Sequence, residues 1–249
     1  MDVVICSPLR PPVARMGGAL AALSAADLAT VVLRELSART GLGEGDIDDV
    51  ILGNGYASGE APAIGRIAAL DAGLGTGVPG LQIDRRCGSG LQAVLYAAGQ
   101  VATGAARVVV AGGAESMSNV EHYALGLRTG VRQGGVSLLD RLDRARETAG
   151  GATYPVAGGM IETAENLRRE YAISRSEQDE LAVRSHHRAV AAHDAGHFAD
   201  EMVAVTVPGR RGKPDVVVDR DELQRDGIKL EKMTPLRQKS VQVEAESNV

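Results

Sequence analysis

Cys87 is one of two cysteines in the chain, and it stands in QIDRRCGSGLQAV, where an extended run gives way to an apolar helical pattern. A thiol attacks as its thiolate, and a free cysteine ionises only near about pH 8.5. A helix N-terminus favours the anion through unpaired N–H groups and the helix dipole. Gly88 and Gly90 have no side chains, so a substrate can approach the sulfur closely. The Cys87 backbone N–H is a candidate oxyanion donor. The chemistry indicated is covalent catalysis by a thiol. The competing structural reading is a buried cysteine packing the first turn of the helix, and spacing alone does not separate the two.

No other constellation is as sharp. The histidines are His122, His186, His187, His193 and His197. His193 and His197 have the i, i+4 spacing of a metal pair, but Gly196 lies between them and no H-E-x-x-H is present, so exposed helix positions are expected and no metal site is assigned. His122 is the least remote candidate for a base to Cys87, because the glycine-ended strand before it can bring its loop towards the site. GTGVPG (75–80) matches G-x-G-x-x-G but precedes a strand and carries Pro79 where a helix would start, so dinucleotide binding is not indicated. There is no G-x-S-x-G elbow. Cys6, in the first apolar run, reads as a packed small hydrophobe.

The elements that must position Cys87 follow from periodicity. VVIC reads as a short buried strand. Ser24 caps a helix that carries Leu28, Val31, Val32 and Leu36 on one face and ends at Gly41. DDVILGNG is a strand entering a glycine turn, APAIGRIAALDAG a helix, and GLQID a strand. Gly88 to about Thr103 is a helix expected to turn Leu91, Val94, Leu95, Ala98 and Val101 inward. ARVVVAGGAES is a strand expected to be buried on both faces. Strands alternating with helices imply an α/β fold with a largely parallel sheet. Residues 117–158 are Gly- and Arg-rich without a clear period. Residues 160–172 form a helix with Ile161, Ala164, Leu167 and Tyr171 on one side. Ser174 and Glu177 then make a capping box before a long helix that stops near Gly196. EMVAVTVPGRRGKPDVVVDRDE reads as two strands joined by a turn. The expected division is a domain over 1–117 and a subdomain over 118–249.

Composition narrows the classes. The chain has 249 residues, 44% hydrophobic but only 2% aromatic, so its core is built from Ala, Val, Leu and Ile. A net charge of −5 and the lack of an arginine stripe with interleaved aromatics argue against nucleic acid. Arg168 and Arg169, and Arg210, Arg211 and Lys213, read as solvated faces or as a docking surface for an anionic cofactor. No uninterrupted apolar run of about 18 residues is present, so no membrane span is expected. The cysteine spacing forms no disulfide framework, and a reducing cytoplasm is the expected compartment.

DRRCGSGLQAV followed by GAARVVVAGGAESMSN resembles the nucleophile region of the thiolases, the acyl-CoA acetyltransferases and acyltransferases. GGMIETAENL, SRSEQDELAVRSHHRA and GRRGKP resemble the thiolase loop subdomain, in the same order. The resemblance runs from about Met1 to about Arg237. It implies a layered αβα domain with an inserted, mostly helical loop subdomain that binds coenzyme A and takes part in oligomer contacts. It implies Cys87 as the acyl-accepting nucleophile. Arg225, in DELQRDG, falls where the family places an arginine against the adenine end of coenzyme A. Met160 corresponds to a methionine near the acyl and pantetheine pocket, although its order relative to neighbouring glycines differs from the family's. The implied substrates are coenzyme A and acyl-CoA, with no permanently bound cofactor, and the implied assembly is a homo-oligomer, a dimer or tetramer.

The resemblance also implies groups that these 249 residues do not contain. Thiolases carry an activating histidine in G-H-P, an oxyanion-hole asparagine in N-E-A-F, and a second catalytic cysteine in a glycine-rich C-terminal motif. None of these motifs is present. The expectation is therefore the N-terminal half of the fold, truncated, with exposed apolar faces and little activity of its own. Two alternatives stay open. One is a non-catalytic coenzyme A-binding or partner-dependent half-thiolase module. The other is a ketosynthase-like condensing enzyme, which AGGAESMSN and TAENL disfavour.

Overall fold

The computed structural model describes residues 2–155, 158–209, 212–224 and 227–229. Contacts divide the chain into two compact units, one formed by Met1–Glu121 with Asp200–Leu223, the other by His122–Ala199 and the chain from Gln224. Residues 200–223 thus pack with the first unit, whereas the sequence pattern groups them with the second region.

The first unit is built on a parallel sheet of β1 (Asp49–Gly53), β2 (Gly80–Ile83) and β3 (Val109–Gly113), in the order β2-β1-β3. Side chains of the central strand alternate between the two faces. Val50 and Leu52 join α2 (Ile64–Asp71) and the Ala26, Ala29 and Leu33 side of α1 (Ala25–Thr40) in one buried cluster. Ile51 points to the other face and packs with Ala93 and Ala97 of α3 (Ser89–Thr103). The result is an α/β/α layering. The Ser24–Asp27 capping box starts α1 and left-handed Gly41 ends it.

A Cβ on Gly65 would fall 2.3 Å from the Val50 carbonyl oxygen, so α2 needs glycine there to lie on the sheet. Beside this core, β6 (Val205–Val207) and β7 (Val216–Val218) form an antiparallel pair whose Val205 and Val207 pack with Leu20 and with Leu28 and Val31 of α1. Arg10 fastens the entering chain to this region through Glu201 at 2.6 Å and Asp221 at 2.8 Å.

Four expectations change. VVIC is not a strand, and Val4 and Ile5 are 82% and 78% exposed, because an apolar run becomes a strand only where a neighbouring strand completes its hydrogen bonds. Cys6 is correspondingly exposed rather than packed. On α3 the inward residues are Ala93 and Ala97 rather than Leu91 and Leu95, which are 67% and 55% exposed. The close approach of α3 to the sheet favours small side chains against Ile51, and a Cβ at Gly53 would lie 2.5 Å from the Ser89 carbonyl carbon. Finally, β3 is the sheet edge and is half-buried rather than covered on both faces.

The second unit contains the short pair β4 (His122–Tyr123) and β5 (Leu139–Asp140), then α4 (Arg141–Thr148), α5 (Gly159–Glu170) and α6 (Arg175–Asp194). Asp140 caps α4, a helix within the stretch that shows no clear period in sequence. Ser174 and Glu177 form the capping box of α6. No helix among the described residues is long and apolar enough to cross a membrane.

Candidate functional site

Parallel strands place their C-terminal ends side by side, and the loops leaving those ends are where ligands bind in open α/β sheets. Here Gly53 is in register with Ile83 and with Gly113. The loops that follow carry Asn54 and Gly55 from β1, Asp84 to Gly88 from β2, and Ala114 and Glu115 from β3.

Cys87 lies in the β2 loop, two residues before the first residue of α3, and is exposed to solvent. Gly88 is the N-cap of α3 and supplies no side-chain cap. The junction is a tight turn. Gly88 N–H donates to the Arg85 carbonyl at 3.1 Å and Ser89 N–H to the Arg86 carbonyl at 2.9 Å. The buried Ser89 hydroxyl accepts from Arg85 N–H at 2.8 Å and donates to the Arg86 carbonyl at 2.6 Å. Arg86 itself has a φ of 51°, in the left-handed region that non-glycine residues rarely occupy. Its guanidinium donates to the Gly55 carbonyl, meets Asp84 at 3.4 Å, and lies 5.9 Å from the centre of the Tyr56 ring.

Glu115 is a member of the site that motif reading missed. Its two oxygens accept separately from the Asn54 amide and the Gly55 N–H, each at 2.8 Å. Asn54, only 3% exposed, also donates to the Ala114 carbonyl at 2.9 Å. Burial pushes the Glu115 carboxyl above its ordinary range, and the N–H groups of Gly55 and Tyr56 oppose that shift. Its only sequence signal is position, as the second residue beyond a glycine-ended strand.

Met160, Arg168, Arg169 and the five histidines fall in the second unit. Met160 is near the start of α5 and 74% exposed. Arg225 lies outside the described residues, as do Arg210 and Arg211 of the basic turn. His122 faces Asp140 at 3.9 Å across the β4–β5 pair. Arg168 and Arg169 pair with Glu165 and Glu162 along α5, as a solvated face does. His193 packs beside Phe198, and no group of three or more potential metal ligands occurs among the described residues. An open groove of about 440 Å³ runs along α6, lined by Glu180, Val183, Arg184, His187, Arg188 and Ala191.

Residues 3–242 match the family description "Thiolase, N-terminal domain". An acetyl-CoA acetyltransferase of Cupriavidus necator is 38% identical over 245 residues, covering 95% of this chain and 59% of that protein. An acetyl-CoA acetyltransferase of Pseudomonas aeruginosa is 39% identical over 236 residues, with the same shares covered. The crystal structure of the Bacillus anthracis acetyl-CoA acetyltransferase superimposes with a TM-score of 0.83 at 38% identity, over 92% of this chain and 56% of that one. The chain therefore spans less than two-thirds of the length of the curated relatives it matches.

Proposed function

The chain belongs to the thiolase family and has the α/β fold of its N-terminal half, and from that premise we propose that it carries the acyl-accepting half of an acyl-CoA C-acyltransferase, with Cys87 as the nucleophile. The observation that carries this reading is the placement of Cys87: solvent-exposed, at a helix N-terminus without a side-chain cap, beyond the C-terminal end of a parallel strand. A packed structural cysteine would be covered.

In this reading the Cys87 thiolate attacks the carbonyl carbon of an acyl-CoA thioester. A new C–S bond forms as the bond to coenzyme A breaks, and the departing thiolate takes up a proton. On a 3-ketoacyl-CoA the attack is at the 3-keto carbon, and the Cα–Cβ bond breaks to release acetyl-CoA after protonation. The acyl group then passes to coenzyme A, or to the acetyl-CoA carbanion in the reverse direction. The family resemblance assigns Met160 to the acyl and pantetheine pocket, Arg225 to the adenine end of coenzyme A, and the intact protein to a homo-oligomer. The sequence lacks G-H-P, N-E-A-F and a third cysteine. Losing a base or an oxyanion donor costs about 10²-fold or more each. The 249-residue polypeptide alone is therefore expected to acylate slowly and not to turn over.

The test is acetyl-CoA incubation followed by peptide mass spectrometry. The expected result is a thioester-linked acetyl group on the Cys87 peptide that is absent from Cys87→Ser, with no sustained thiolysis of acetoacetyl-CoA. No adduct at Cys87 sinks the nucleophile assignment, and steady turnover lost on Cys87→Ser sinks the claim of inactivity. The exposed Leu91, Leu95 and Tyr96 of α3 favour a second reading, a partner-dependent half-thiolase module. That reading expects acyl-CoA binding without acylation until the partner is added.

A further inference from the structure

We propose that Arg86 and Glu115 are positioning residues that hold Cys87 at the α3 N-terminus, an inference that rests on the reading of Cys87 as the nucleophile. Arginine has no intrinsic reason to adopt a φ of 51°. Such a conformation persists only where the surroundings over-determine it.

The ties are on both sides of the residue. Arg86 N–H donates to Asp84 Oδ1 at 2.9 Å, and its carbonyl accepts from the Ser89 hydroxyl at 2.6 Å. Its side chain reaches across to the β1 loop, to the Gly55 carbonyl and the Tyr56 ring. That loop is irregular backbone and would be a poor anchor by itself. Glu115 makes it one, by binding the Asn54 amide and the Gly55 N–H with different oxygens. The packing at this point is close: a Cβ on Gly55 would lie 3.3 Å from Glu115 Oε2 and 3.7 Å from Arg86 Cα. The line of support runs from Glu115 through Gly55 and Arg86 to Cys87 and joins the loops of all three parallel strands. A carboxylate is also a costly choice for such a brace, because desolvation pushes its pKa up. A need for a fixed nucleophile accounts for that choice better than stability does.

The test uses the full chain and the two exposed thiols, Cys87 and Cys6, with Cys6 as internal reference. Native protein is alkylated with limiting iodoacetamide, and the rate constants at the two cysteines are compared by peptide mass spectrometry. Wild type is expected to alkylate faster at Cys87 than at Cys6. Glu115→Gln cannot accept from both donors with separate atoms, and its Cys87/Cys6 ratio is expected to fall on the order of tenfold, because the sulfur then moves off the helix N-terminus that favours its thiolate. A merely structural defect would instead move both cysteines towards their rates in urea. A folded Glu115→Gln protein with an unchanged ratio overturns the inference and leaves the nucleophile reading standing. A wild-type Cys87 with no advantage over Cys6 overturns both. If Glu115→Gln does not fold, Gly55→Ala decides in its place, because the added methyl presses on the same brace. A lower ratio supports the inference, and an unchanged one overturns it.

Discussion

Asp48 holds the start of β3 to the start of β1, because its carboxylate accepts from Arg107 N–H at 2.6 Å and from Val108 N–H at 3.0 Å. The Arg107 and Val108 bonds lower its pKa below the ordinary 3.8. The unfolded chain therefore binds this proton more tightly than the folded one. The stabilisation is fully present above 3.8 and is lost as the pH falls through the depressed folded value. Asp48→Asn is expected to flatten the acid limb of a plot of Tm against pH from about 6 to about 2, and an acid limb as steep as wild type would refute it. Asp48 shows how unevenly single residues are legible. The position of Cys87 at a strand–helix junction was legible from its flanking glycines, whereas spacing alone left its role open between a nucleophile and a packed cysteine. Cys6 was misread because its surroundings depend on whether a distant strand is present to pair with VVIC. Arg86 and Glu115 were invisible, since arginine carries no turn signal and the Glu115 brace connects residues 60 and 61 positions apart.

At the scale of elements, local rules carried most of the reading. The Ser24 cap of α1, the capping box of α6 and the glycine that ends α1 are chemical signals a few residues long, and they placed those helices correctly. The facing of α3 was decided by something local pattern does not contain. Apolarity put Leu91 and Leu95 inward, but helix-to-sheet distance selected Ala93, fully buried, and Ala97. The consequence is measurable. Ala93→Val forces extra volume against Ile51 and is expected to cost about 1–3 kcal/mol. Leu95→Lys, on the exposed side, is expected to stay within about 0.5 kcal/mol of wild type. Urea denaturation of both variants checks the pair, and the reverse order of sensitivity would return the leucine stripe to the interior.

Across the whole molecule, buried apolar surface is distributed unequally. Among the described residues, the largest fully enclosed side chains, Val50, Ile51, Ile64, Leu74, Val78 and Val205, all belong to the first unit. In the second unit α4 and α5 have no buried residues, and α6 buries only Asp179. Ile161, Leu167 and Tyr171 of α5 are exposed on the side that the sequence marks as apolar. Helices of this kind lean on i, i+3 or i, i+4 ion pairs, which contribute only about 0.3–0.5 kcal/mol each, so they open at little cost. Native-state hydrogen exchange is therefore expected to divide the chain. Amides of β1, α2 and α3 should exchange slowly, through opening of the sheet core, while those of α4 and α5 exchange orders of magnitude faster in the same sample. Adding acyl-CoA should slow exchange in the second unit if Met160 and the chain near Arg225 grip the cofactor-like substrate, and should leave the sheet amides unchanged. Uniform protection in the free protein would mean that the apolar side of α5 is covered in solution. Self-association would then be indicated, and a dependence of α5 protection on protein concentration would identify it.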